Sequence, residues 1–382
     1  MARKRLFWAL PIVAALLFVV SSTAVARSPT DVASESSHWA QGAVFTMTNA
    51  PNGNSVWAYV VGPGGSLVPD GHFATHGRGT GVSLADSGSL ALTSNHQWLL
   101  VINAGSNSLT VFHVNAPGGS QPLLTFTDRV SSHGTLPVSI AVSGDLVYVL
   151  NAGTSSVPGN IYGLILADHG LLFPLPGSSR SLSTQASTAP AEIAFTPSGT
   201  VLVVTEKNTS DFDTYTVGPR GYASGPTVTP SNGATPYGFA FGRGGSLIVS
   251  DAGPGALSSY AVARTGAVTR VSGPVTDGQT AACWIATVDG GRIAYTSNAH
   301  SATISTYHVA AGGKLTLLAG VAASTGSGDT DMAIGGSHGQ YLFVYDSGAA
   351  EIESFSIGRA ASLTLGYAAF ALPSTAEGLV AF

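Results

Sequence analysis

The feature that most constrains this chain is a sentence of residues spoken seven times between residue 43 and the C-terminus. Its clearest copy runs from Pro190 to Tyr215, PAEIAFTPSGTVLVVTEKNTSDFDTY. A short apolar run, Ile193-Ala194-Phe195, meets a turn at Pro197-Ser198-Gly199; a second run, Val201 to Val204, ends on Thr205-Glu206. Runs of four to six β-branched and aromatic residues split by Gly, Pro and Ser read as strands joined in hairpins. Aligned on the polar residue that closes the second strand, the copies fall at Asn49, Asn103, Asn151, Glu206, Asp251, Asn298 and Asp346. An aromatic follows nine or ten residues later in six of them: Tyr59, Phe112, Tyr215, Tyr260, Tyr307 and Phe355. In the third copy the insertion Ser155 to Asn160 displaces it. One more strand after a Gly-rich turn completes each unit, and four strands per repeat of about 40–55 residues is the pattern of a β-propeller blade.

The ends of the chain fix the count. The first strand of the unit is read at Gly81–Leu84, Pro137–Val142, Pro190–Phe195, Pro236–Phe241, Ala282–Thr287, Asp329–Ile334 and Glu377–Phe382. The last copy has no successor strand, and the blade beginning at Ala43 has no first strand. Placing Glu377–Phe382 inside that blade closes a ring of seven and removes the sheet edges an open array would expose. The expectation is an all-β, seven-bladed propeller filling residues 40–382 as a single domain.

Ahead of it, Arg3-Lys4-Arg5, the apolar run Leu6 to Val20 and the small residues Ala24-Val25-Ala26 read as a secretory signal over residues 1–26, cleaved after Ala26. The apolar run is short for a membrane span, and residues 27–39 read as a flexible lead-in. Secretion, with no membrane attachment after cleavage, is therefore expected. Without Arg3, Lys4 and Arg5 the balance is 12 basic residues against 20 acidic, which argues against nucleic acid and anionic lipid as partners. Charged residues make up 9% of the chain, where about 25% is usual, so Gly, Ser and Thr must cover much of the surface. Cys283 stands alone in an apolar run beside Trp284, which excludes an intrachain disulfide and reads as core packing.

In a propeller the inner strands line the channel. The channel positions are read as Gly81, Ser139, Glu192, Gly238, Trp284, Asp331 and Gly378, the third residue of the motif in the five middle copies. Glu192 and Asp331 are thus expected as channel carboxylates, with Trp284 beside them. His72 and His76 lie four apart in a Gly-rich strand and loop, where that spacing does not converge on a metal. Gly335 to Gly339 matches G-x-S-x-G, but between two strands it reads as a hairpin turn, not a nucleophile elbow. No metal and no cofactor are expected.

The blade sentence, the strand-ending Asn or Asp, and Pro190, Ile193-Ala194-Phe195, Pro197, Gly199 and Glu206 together resemble the lactonase and carboxymuconate-cyclase family of seven-bladed propellers, with the related YVTN-type surface propellers. The resemblance covers residues 40–382. It implies a site at the channel mouth where cyclase-like members place a His, two Arg and a Glu. Glu206 matches the Glu and is the candidate catalytic residue. The Arg position falls on Ala191 and the His position on Glu192; the strand Pro137-Val138-Ser139-Ile140 brings no His, and Asp251-Ala252 stands where Asn-Arg is common. A carboxylate can act as a base, but an anionic lactone needs cations to hold it. The expected function is therefore a ligand-binding or interaction scaffold, monomeric, whose partner is a small molecule or an extracellular protein. The alternative is a lactone hydrolase or cyclase, of the 6-phosphogluconolactonase or carboxymuconate-cyclase kind, working through Glu206. Glu192, Asp331, Trp284 and Lys207 are the candidate ligand-binding residues.

Overall fold

The computed structural model describes residues 40–183, 187–326, 328–369 and 371–382. The expected signal segment and lead-in fall outside them. Seven antiparallel sheets follow one another along the chain. The fourth is representative: Pro190–Phe195, Val201–Glu206, Asp211–Val217 and Ala223–Pro230 pair in sequence order, from the hub outward. The second strands are buried along their length, as Val201–Glu206 and Tyr341–Asp346 are, because neighbouring blades cover both faces. The outermost strands are mostly exposed instead, as at Ala223–Pro230, where only Ala223 is buried.

The closing strand behaves as the repeat count requires. Glu377–Ala381 pairs antiparallel with Gly42–Met47, Phe45 opposite Val380, and completes the first sheet with Ser55–Val61 and Leu67–Ala74. The structure corrects the second blade. Its inner strand is Leu90–Leu92, not Gly81–Leu84, and Gly81–Leu84 lies in the connection that precedes it. The reading failed there because two Gly/Ser-rich segments flank one weak apolar pair, and hydrophobic pattern alone placed the strand early. The third blade carries its insertion between Leu146–Asn151 and Asn160–Leu166, and its outer edge is split into Leu172–Pro174 and Arg180–Ser181.

Tyrosines lock adjacent blades. The repeating third-strand aromatics are buried, and two of the tyrosines among them reach back to the previous blade: Tyr215 Oη donates to the Ser181 carbonyl at 2.8 Å and Tyr307 Oη to that of Val275 at 3.0 Å. Tyr148 and Tyr295, on second strands, reach forward to the carbonyls of Gly221 and Ala361. Each ring contributes apolar burial, and its hydroxyl is satisfied across the interface rather than left dry. Among the described residues no helix is long and apolar enough to cross a membrane.

Candidate functional site

The strand-ending polar residues share one structural task. Each closes its second strand by bonding nearby backbone or side chains. Asn151 donates to the Ser132 carbonyl of the arriving connection at 3.1 Å, Asn49 to the Val82 carbonyl of the connection leaving its blade at 2.8 Å, and the Asp346 carboxylate accepts the Gly348 and Ala349 amides of its own hairpin. The arriving connection approaches so closely that a glycine is required. A Cβ on Gly77, Gly134 or Gly233 would lie 2.0–2.4 Å from the side chain of Asn103, Asn151 or Asp251.

Glu206 is the variant of this device. It is fully buried, and its carboxylate accepts the Ser183 amide at 3.2 Å, the Ser183 hydroxyl and the Thr209 hydroxyl at 2.7 Å. Ser183 belongs to the arriving connection, so the longer Glu reaches a serine where other blades set Asn or Asp against glycine. On the neighbouring strand, diagonal to it and opposite Val204, Asp213 is pushed up to about 8, first by burial and then by the nearby Glu206 charge. Glu206 thus sits in a carboxyl pair within its own blade.

The remaining candidates do converge, at the hub. Glu192 Oε2 accepts the Phe239 amide of the fifth blade at 2.7 Å, and Asp331 Oδ2 accepts the Leu379 amide of the first at 2.9 Å. Ser139 does the same for Ile193, at 3.1 Å. The third-residue positions therefore bridge neighbouring inner strands, satisfying amides that the inner edge of each sheet leaves open. Trp284 packs edge-on against Tyr237, with centroids 5.1 Å apart, and the Lys207 ammonium stands 4.8 Å from the Tyr237 ring centre.

What joins these groups is the connection from the first blade to the second. The Leu84 amide donates to Glu377 Oε1 at 2.9 Å. The Ala85 carbonyl accepts Lys207 Nζ, and the Asp86 carbonyl accepts Trp284 Nε1 at 2.9 Å. The Ser87 amide donates to the Ala191 carbonyl at 2.9 Å. Glu377, Lys207 with Ala191, and Trp284 belong to the first, fourth and sixth blades. One segment that bonds inner elements of all three must lie across the channel mouth, and Ser83–Ser87 is that plug. Hydroxyls of Ser83 and Ser87 bond Glu377 and Glu192.

Among the described residues, four carboxyls therefore crowd one cation. Burial pushes Glu377 up to about 7 and Glu192 up to about 8, the bonds from the plug pulling the other way. Asp331 is raised well above the carboxylate range, chiefly by burial. Asp86 is raised by burial and then by the Glu377 charge, and its Oδ2 is buried without a partner. Lys207 is lowered by burial, with Asp86 opposing. Among the described residues no three His, Cys, Asp or Glu side chains are arranged to hold a metal ion.

Asp86 and Glu377 were missed in the sequence. Asp86 had a signal: it is the only Asp, Glu, Lys or Arg between Arg78 and Asp128. Glu377 was visible only as the first residue of the closing strand.

Residues 248–376 match the family model described as lactonase, 7-bladed beta-propeller. No curated protein matches the chain. Among solved structures, a protein from Lactobacillus plantarum superposes with a TM-score of 0.72 at 17% identity, covering 90% of this chain and 99% of that one. The periplasmic gluconolactonase of Pseudomonas aeruginosa gives 0.70 at 16% identity, covering 88% and 98%. Virginiamycin B lyase from Staphylococcus aureus gives 0.54 at 12% identity, covering 78% and 88%. These likenesses carry the fold. The chain is thus a seven-bladed propeller that matches the lactonase family in sequence over residues 248–376 and resembles the gluconolactonase in fold around the whole ring.

Proposed function

We propose that this chain is an exported binding or interaction scaffold built on a lactonase-type propeller, and that in the plugged form it does not turn over lactones. One observation carries the reading: the donors Lys207 Nζ and Trp284 Nε1 at the channel mouth are both engaged by carbonyls of the chain's own Ser83–Ser87 segment. An anionic substrate entering there would meet Glu192, Asp331 and Glu377 with Lys207 already engaged, and the Coulomb term is repulsive for every ionised carboxyl. Export rests on the residues from Arg3 to Ala26, and a periplasmic neighbour of the same fold is compatible with it.

The second reading, a lactone hydrolase or cyclase, draws on the Glu206–Asp213 pair, since a carboxyl protonated at neutral pH beside another carboxyl is an acid–base arrangement. A panel of aldono-, phosphoaldono- and muconolactones separates the two. The scaffold reading expects hydrolysis at the buffer rate. Turnover that falls at least tenfold in Glu206→Gln, with an unchanged melting temperature, would replace it with the enzyme.

A further inference from the structure

We infer that the channel mouth is a peptide-binding site, occupied in cis by Ser83–Ser87, and that its partner is a polypeptide segment that follows the same path, kinked where Ala85 takes a left-handed conformation, and offers its N–H and carbonyl groups at the places of Leu84, Ala85, Asp86 and Ser87. The inference rests on the scaffold reading and names the kind of partner.

The plug is held mainly by its backbone. Along it run an N–H bonded by Glu377, a carbonyl bonded by Lys207, a carbonyl bonded by Trp284 and an N–H bonded by the Ala191 carbonyl. Two acceptors and two donors, set around the rim by three blades, match the mixed donor and acceptor edge of a peptide. They match neither an anion, which faces three carboxyls, nor a metal ion, for which the described residues offer no ligand set. Recognition through main-chain groups, with side chains tuning it, is an established way of binding a peptide. The two serine hydroxyls, on Glu377 and Glu192, add the side-chain preference.

The plug also fits imperfectly. Asp86 is 2% exposed, and its Oδ2 has no hydrogen-bond partner while the repulsion of Glu377 and Asp331 is only partly offset by the Lys207 charge. An unsatisfied buried acceptor costs free energy that a partner peptide with a smaller or neutral residue at that place would not spend. Tethering compensates, because a short linked segment acts on its site at an effective concentration of about millimolar. A free peptide therefore competes poorly with the intact loop and well once the loop is disengaged.

The test uses the full chain in two variants. In one, residues 82–87 are replaced by Pro-Gly-Pro-Gly-Pro-Gly, which removes the N–H at position 84 and the hydroxyls at 83 and 87. In the other, Ala85→Pro disengages the loop, because Ala85 has φ +51° and proline is fixed near −65°. Neither touches Lys207, Trp284, Glu377 or Ala191. The probe is a fluorescein-labelled peptide Val-Ser-Leu-Ala-Asp-Ser-Gly, the sequence of residues 82–88, read by anisotropy. Binding to either variant at least tenfold tighter than to the intact chain, with the same peptide N-methylated at the positions of Leu84 and Ser87 binding at least tenfold more weakly, is the expected result. A folded variant that leaves the peptide unbound at millimolar concentration overturns the inference. So does failure of both variants to fold, which would make the segment a structural part of the hub. Lactone turnover by the intact chain would sink the scaffold reading without touching the anisotropy result, so the two failures are distinguishable.

Discussion

Glu192 gathers in one side chain the forces that shape the hub. Its carboxyl accepts an amide from the next blade and a hydroxyl from the plug, and burial still outweighs both. In the unfolded chain it ionises near 4.5, and in the folded chain near 8. Between those values the folded state holds a proton that the unfolded state has released, so stability falls as pH rises. The contribution is fully present below about 4.5 and is lost by about 8, and every tenfold change in proton affinity between the two states corresponds to about 1.4 kcal/mol. Glu192→Gln keeps the acceptor and removes the titration. We expect its unfolding free energy in urea titrations to match the parent's at pH 4.5 and to exceed it at pH 8.5 by an amount on the order of a few kcal/mol, with the midpoint raised accordingly. Equal midpoints at both pH values would show that the carboxyl is not withdrawn from water as described. Glu192 was legible in the sequence as a channel residue because inner-strand position follows from the repeat. Its bond to Phe239 was not, since that amide lies 47 residues away and is brought near only by ring geometry.

At the scale of the element, each connection between blades docks by pressing a backbone against the next strand's polar end. The polar ends were readable, being seven in register. Their partner glycines left a weaker signal: Gly134 and Gly233 share the order Ser-x-Gly-x-x-Pro ahead of Pro137 and Pro236, but Gly77 stands farther from its strand, and nothing in the sequence pairs any of them with a polar end 17 to 26 residues on. Gly233 makes the test. It needs no positive φ, so a substitution reports close approach rather than backbone strain, and a Cβ there would stand 2.0 Å from Asp251 Cγ. Asp251 is buried and held by Ser258, leaving it little room to retreat. Gly233→Ala should therefore cost about 1–3 kcal/mol, the usual range for overpacking. Gly218→Ala, where the nearest atom is 3.8 Å away, should stay within about 0.5 kcal/mol of the parent. Similar thermal melts for the two variants would count against the docking role. The same logic explains Glu206: its connection offers Ser183 in place of a glycine, and a longer side chain spans the gap.

For the whole molecule, ring closure follows from a repeat that starts without its first strand and ends with a spare one. The structure pairs that spare strand, Glu377–Ala381, with Gly42–Met47, so the first blade is built from both ends of the chain. The plug was not legible at this scale. A repeat alignment finds what recurs, and a connection that crosses the hub once recurs nowhere. The two features meet in Glu377, which begins the closing strand and tethers Leu84. Removing residues 377–382 would strip the inner edge from the first blade and uncover Val44 and Phe45, both fully buried. It would also remove Leu379, whose amide satisfies Asp331, and release the plug from the first blade. Several apolar side chains exposed at about 1.5–3 kcal/mol each exceed much of a domain's net stability of about 5–15 kcal/mol. The truncated chain should aggregate or melt far below the parent, and the peptide Glu-Gly-Leu-Val-Ala-Phe supplied in trans should raise its melting temperature by rebinding the open edge. Glu377→Gln in the full chain separates the two roles, because the strand stays while the charge on the Leu84 tether goes. Its melt should lie close to the parent's, with faster amide exchange confined to Leu84 and its neighbours. A truncated chain that melts with the parent would mean that the ring does not depend on its last strand.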